Sequence, residues 1–142
     1  MTFKYQKEYD KLTQTCPPAD HIAQDIVPVY RWVFDSIDDE RNFKSQFHKK
    51  PKRFLNKDDL SKCSALGLSM FNNLVGSVQR FNELKDATGD AIYQTLGTKI
   101  AEGKISLADG VNSKIERLGH FNHHPSSAVN FNNIFTINGE LV

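Results

Sequence analysis

Ser64-Ala65-Leu66-Gly67-Leu68-Ser69-Met70-Phe71-Asn72-Asn73-Leu74 is the stretch on which the fold turns. Leu60, Gly67, Phe71, Leu74, Val78 and Phe81 recur along one helical face, which would make residues 57–85 a single long buried helix. The same residues also divide, with residues 64–71 as a buried strand, Asn72-Asn73 as a cap and residues 74–85 as a helix. Periodicity does not separate the two, because a short apolar run fits a buried strand and a buried helix alike. Both readings stand at this point.

Upstream, Asn56, Asp58 and Asp59 form a helix entrance whose carboxylates oppose the positive end of the dipole. Val29-Tyr30-Arg31-Trp32-Val33-Phe34 is β-branched and aromatic and reads as a strand, with Arg31 and Val33 on one face and Tyr30 and Trp32 on the other. Tyr5, Tyr9 and Leu12 fit a short amphipathic helix that stops before Cys16-Pro17-Pro18. Asp20 fits the N-cap of a second short helix carrying Ile22 and Ile26, ended by Pro28.

Downstream, Asp86-Ala87-Thr88-Gly89 is a turn, and Ile92, Tyr93, Leu96 and Ile100 mark a helix that Gly103 ends. Ser106 to Asp109 resembles a capping box, and Val111, Ile115 and Leu118 continue as a short helix stopped by Gly119. Val129, Phe131, Phe135 and Ile137 alternate as a strand, and Asn138-Gly139 is a hairpin turn. No repeat and no Pro/Gly/Ser-rich linker divides the chain. The expected architecture is a single compact α+β domain over residues 1–142, several helices packed on a small antiparallel sheet.

At 142 residues the chain can bury a core without staples. Eighteen basic against seventeen acidic residues leave a charge of +1, so no global field drives nonspecific nucleic-acid binding and any basic surface must be local. The first residues lack the apolar core of a signal peptide, and no apolar run approaches membrane-spanning length. The expectation is therefore a cytoplasmic protein, away from membranes, with Cys16 and Cys63 as reduced thiols. Glycine-rich phosphate loops, Gly-x-Ser-x-Gly elbows and Cys-x-x-Cys pairs are all missing, which removes the usual sequence evidence for most enzyme classes.

Three candidate sites remain. Gly119-His120-Phe121-Asn122-His123-His124-Pro125 holds three of the five histidines. The run has no helical glutamate base, and Pro125 opposes a helix, so no metal site is expected and the rings read as loop or strand residues. The second candidate is His48-Lys49-Lys50-Pro51-Lys52-Arg53-Phe54, where Lys49, Lys50, Lys52 and Arg53 form a patch suited to phosphate. The neighbouring Asp35, Asp38, Asp39 and Glu40 favour a solvated loop of mixed charge, with Phe43, Phe47 and Phe54 as its anchors.

The third candidate follows from the divided reading. It puts Arg31 on an early strand and Ser69 on a later one with a helix directly behind it. Such an arginine can pair with a diphosphate, the serine hydroxyl can order a ribose, and a carboxylate such as Glu102 or Glu140 can stabilise an oxocarbenium charge. This order, carried by single residues and not by a continuous motif, resembles the Arg, Ser, Glu layout of ADP-ribosyltransferases and related NAD-consuming toxins. The resemblance implies catalytic roles for Arg31 and Ser69.

Balanced charge, high aromatic content and the missing catalytic signatures favour a small binding subunit without a cofactor. Phe131, Phe135 and Ile137 would then present an apolar strand with an open edge to a protein partner or to a second copy in a homo-oligomer. An NAD-consuming enzyme and a nucleic-acid accessory protein are the alternatives.

Overall fold

Two side-chain caps divide the stretch that the sequence leaves open. In the computed structural model, which describes residues 1–142, Asp58 accepts a hydrogen bond from the Ser61 N–H at 2.9 Å and opens a helix over Asp59–Leu66. Asn73 accepts from the Gly76 N–H at 2.6 Å and opens a second helix over Leu74–Thr88, which Gly89 ends at φ 78°. Between them Leu68–Phe71 is a strand, burying Leu68 and Met70 and leaving Ser69 exposed. The divided reading is the observed one, with residues 64–66 belonging to the helix. Gly67 is the hinge, since any Cβ there would run into the Asn122 amide across the cleft.

The helices in chain order are α1 (Gln6–Tyr9), α2 (Gln46–Lys49), α3 (Asp59–Leu66), α4 (Leu74–Thr88) and α5 (Ile92–Leu96). The strands are β1 (Ile26–Val33), β2 (Leu68–Phe71), β3 (Lys99–Ile105), β4 (Gly110–Asn112), β5 (His120–Pro125) and β6 (Thr136–Glu140). All six join one antiparallel sheet in the order β4-β5-β2-β1-β3-β6. Strand alternation sends side chains to two apolar clusters. Val29, Val33, Met70, Phe121 and Phe135 belong to one; Tyr30, Phe71 and Ile100 belong to the other, together with Phe81 of α4. Phe81 is fully buried and meets Trp32 edge-on at 5.4 Å. Phe81→Ala should therefore cost about 3 kcal/mol in urea unfolding, and a loss under about 1 kcal/mol would mean that the ring is not held by this cluster.

Several expectations are corrected. Residues 20–25 form no helix; Ile22 bridges Asn112, and Pro28 lies inside β1, where the register with β3 shifts between Ile26 and Val29. The helix beginning at Ile92 stops at Gly97, whose φ of 80° turns the chain, and Ile100 belongs to β3. Val111 lies in β4 and not in a helix. Ser106 and Asp109 do form a capping box.

The partner surface is also revised. Phe131 and Phe135 are buried, and Phe43 stacks on Phe131 at 5.0 Å and meets Phe135 at 5.3 Å. The loop that carries Phe43 covers these rings, so neither is free for a partner, and Ile137 is half-buried against the same core. Asn138-Gly139 lies within β6, with Gly139 opposite Ile100, and makes no hairpin turn.

Cys16 and Cys63 are joined in a disulfide, which overturns the expectation of two reduced thiols. The bond ties the N-terminal segment to α3 and is of the kind that persists in an oxidising compartment, which the cytoplasmic expectation did not foresee. No helix is long and apolar enough to cross a membrane.

Candidate functional site

The sheet has a seam. β1 and β3 pair at six register positions, while β1 and β2 pair at one, Tyr30 with Phe71. On the Arg31 side of that contact the ladder is not continued, and a cleft of about 750 Å³ lies there, walled by Arg31 and Trp32 of β1 and by Leu68 and Ser69 of β2. Arg31 spans the seam. Its Nε donates to the Asn42 carbonyl at 2.7 Å and its Nη1 to the Ser69 carbonyl at 2.6 Å. The Arg31 side chain thus contacts the main chain of Ser69, 38 positions away, and both residues line the cleft.

The charge of this cleft departs from that of the molecule. Five basic side chains, Arg31, Arg41, Lys44, Lys49 and Arg53, line it with one carboxylate, Glu116. Arg41 is held by Asp39 at 2.7 Å, whereas no carboxylate forms an ion pair with Arg31, Lys44, Lys49 or Arg53. Burial pushes the Arg31 guanidinium down to about 10, still a cation at neutral pH. Burial, reinforced by the charges of Arg31 and Arg41, brings Lys49 down to about 8. Buried cations without a close ion-pair partner are costly in the empty state, although Asp39 offsets part of that cost for Lys49, and an anion that enters relieves it further through charge-assisted hydrogen bonds. The guanidinium spends two of its five N–H donors on backbone carbonyls, which leaves others for a ligand.

Ser69 and the histidine run meet next to this wall. β2 pairs with β5 so that Phe71 faces His120 and Ser69 faces Asn122, and the Ser69 hydroxyl lies 3.0 Å from His120 Nε2. Burial lowers the His120 pKa, with Arg80 adding to the effect and Glu116 opposing it. The ring is therefore neutral at pH 7 and holds the hydroxyl as a hydrogen-bond partner. Glu116 enters the site from the turn Arg117–Gly119 that leads into β5. In that turn Leu118 takes φ 62°, an uncommon conformation for a residue with a side chain, and Gly119 follows at φ 79°. The turn keeps this shape because α4 sits directly under it: Gly76 leaves no Cβ to strike the Leu118 carbonyl, which also accepts from the Asn73 side chain at 3.4 Å.

The three histidines do not converge. His120 faces Ser69 on one side of β5, and His123 points to the opposite side, with Nδ1 2.6 Å from Asn112 Oδ1 and its ring edge-on to Phe131. His124 sits on the His120 side, 2.9 Å from the Tyr9 hydroxyl through Nδ1. No three His, Cys, Asp or Glu side chains are grouped to hold a metal ion. Glu102 and Glu140, the carboxylates suggested by the sequence, lie elsewhere. Glu102 is bound by Asn138 at 3.2 Å beside Tyr30, and Glu140 is paired with Lys99. Neither lines the cleft, because both strands that carry them lie beyond β1 from the seam.

Glu116 is the residue that sequence reasoning missed, together with the contact between Ser69 and His120, which the sequence names separately. Lys114-Ile115-Glu116-Arg117 carries no motif, and the connection between β4 and β5 brings Glu116 to the same cleft as Ser69. Of the basic patch, Lys49 and Arg53 line the cleft while Lys50 and Lys52 do not, and no ion pair joins the acidic block to any of the four. No protein-family model matches the chain, and neither does any curated protein or solved structure.

Proposed function

We propose that the protein is an NAD-consuming enzyme of the ADP-ribosyltransferase type, with its site at the seam between β1 and β2. The observation that carries this reading is the meeting of Arg31 and Ser69 in one cationic cleft with a single carboxylate, Glu116. A dinucleotide supplies what such a cleft lacks, a diphosphate for Arg31 and Lys49 and a ribose for the Ser69 hydroxyl. Trp32, fixed by its indole N–H to Ser77 at 3.0 Å, gives the cleft an aromatic wall against which a flat base can lie.

In the reaction the bond from ribose C1′ to the nicotinamide nitrogen breaks, and nicotinamide leaves with the bonding electron pair. Positive charge develops on the ribose ring, where the Glu116 carboxylate stabilises it. Water or an acceptor group then adds at C1′ and gives up a proton. His120 is a positioning residue: neutral and 3.0 Å from Ser69 Oγ, it aims the hydroxyl at the ribose. The disulfide from Cys16 to Cys63 fits an enzyme that works in or passes through an oxidising compartment.

The test is release of nicotinamide from NAD, followed by chromatography. The full-length protein should release it catalytically, and Ser69→Ala, at an exposed strand position, should slow release roughly tenfold, the worth of one neutral hydrogen bond to substrate. No release by the folded protein over hours, with or without added macromolecules, would overturn the proposal.

A further inference from the structure

The cleft has more positive charge than one diphosphate uses, and the surplus runs out of it in one direction. Lys49 of α2 and Arg53 of the adjoining turn Pro51–Phe54 line the cleft, and Lys50 and Lys52 stand exposed on the same two turns. Lys57 follows, also exposed. None of these five makes an ion pair, although the acidic residues 35–40 lie close in sequence. Asp39 of that block is bound instead to Arg41, and Asp38 to the Asn132 amide at 3.1 Å. The cations follow one another along these turns, with Lys49 and Arg53 at the cleft and Lys50, Lys52 and Lys57 exposed to solvent. Phe47 and Phe54 stack on each other at 5.9 Å with planes 27° apart, and both are only half-buried beside them.

We infer that this row of cations binds the sugar–phosphate backbone of single-stranded nucleic acid, and that the enzyme transfers ADP-ribose to that nucleic acid. The inference rests on the NAD-consuming reading above and names the acceptor class for the same site. A row of cations with flanking aromatic faces matches an unpaired strand, whose phosphates neutralise the lysines while an exposed base covers a ring. An acidic polypeptide would use the charges and leave the rings unexplained. The transfer balances without a further reagent: the C1′–nicotinamide bond breaks, nicotinamide departs with its electron pair, and a nucleophilic oxygen or nitrogen of the strand bonds to C1′ and loses a proton to solvent.

Two readouts on the full-length disulfide-bonded protein separate this from the reading beneath it. Nicotinamide release from NAD reports the enzyme, and radiolabel from adenylate-labelled NAD reports the acceptor, with single-stranded DNA, single-stranded RNA, duplex DNA and polyglutamate offered in parallel. Label should enter a single-stranded oligonucleotide, the DNA and RNA arms showing which sugar is preferred. Lys50→Ala/Lys52→Ala should weaken oligonucleotide binding roughly tenfold and reduce its salt slope by about 1.4, since each lost single-strand phosphate contact removes about 0.7. Nicotinamide release without label in any nucleic acid, or oligonucleotide binding with no salt dependence, would overturn the acceptor assignment and leave the enzyme standing. Absence of nicotinamide release under every condition would overturn both.

Discussion

Glu116→Gln is expected to lower nicotinamide release about a thousandfold, equivalent to about 4 kcal/mol of transition-state stabilisation, with little change in the half-saturating NAD concentration. The asymmetry follows from where the charge appears. In the proposed complex the NAD phosphates would lie against Arg31 and Lys49, far from a need for a carboxylate, and the ribose would become cationic only as nicotinamide leaves. A carboxylate that acts on this charge therefore contributes to kcat and hardly to binding. Glu116 suits the test because it is exposed and makes no ion pair, so the amide should change unfolding stability by less than about 0.5 kcal/mol. Glu116→Asp, which keeps the charge and withdraws it, should fall between the two. A loss of less than tenfold in the glutamine variant would remove Glu116 from the mechanism, since no other carboxylate lines the cleft.

The second large effect is acid destabilisation through His123 and His124. Burial holds His123 at about 4, and burial with the neighbouring charges of His21 and His123 holds His124 at about 3. His123 donates through Nδ1 to Asn112 Oδ1, and its Nε2 has no hydrogen-bond partner; a proton placed there would be a buried charge offset only in part by the nearby Asp109 carbonyl. His124 Nε2 faces the Asn122 amide nitrogen at 3.5 Å, a donor that opposes a second proton. Both pKa values are lower folded than the ordinary 6.5, so the unfolded chain takes up protons first as pH falls. The stabilisation is complete above about pH 6.5 and is lost progressively down to about pH 3. At pH 5 the loss is roughly 2 kcal/mol for each ring, about 4 kcal/mol together, a large share of the stability of a domain this size.

Urea midpoints at pH 7 and pH 5 measure it. The window from 6.5 to 5 belongs to the histidines, because the carboxylates Asp39 and Glu83, both held down at about 2 by arginine, lose their contribution only at lower pH. A midpoint that does not move between pH 7 and pH 5 would show that these rings are not buried as described.

How much of this was readable beforehand depends on the range over which each signal acts. Local chemistry was legible. The run from Val29 to Phe34 is strand because its β-branched and aromatic side chains fit a pleated surface, and β1 covers all but its last residue. The Ser106–Asp109 capping box was present because its partners are three residues apart. Pro28 misled, since proline both stops helices and occupies irregular strand positions, and the choice was made by pairing with β3.

The site was half legible. Arg31 and Ser69 could be named from their order along the chain, because a strand, a strand and a following helix are local features. Their meeting across the seam, the arrival of Glu116 and His120 beside Ser69, and the loss of Phe131 and Phe135 to the core were decided by the sheet order β4-β5-β2-β1-β3-β6. The disulfide belongs to the same class, 47 residues apart and closed only when α3 and the N-terminal segment are packed together. The sequence by itself determined which residues are able to form strands, caps and charged groups, because those preferences are set by each side chain and its nearest neighbours. Tertiary structure alone decided which of them share a wall, because contacts between distant positions come from sheet register and core burial, which no local window contains.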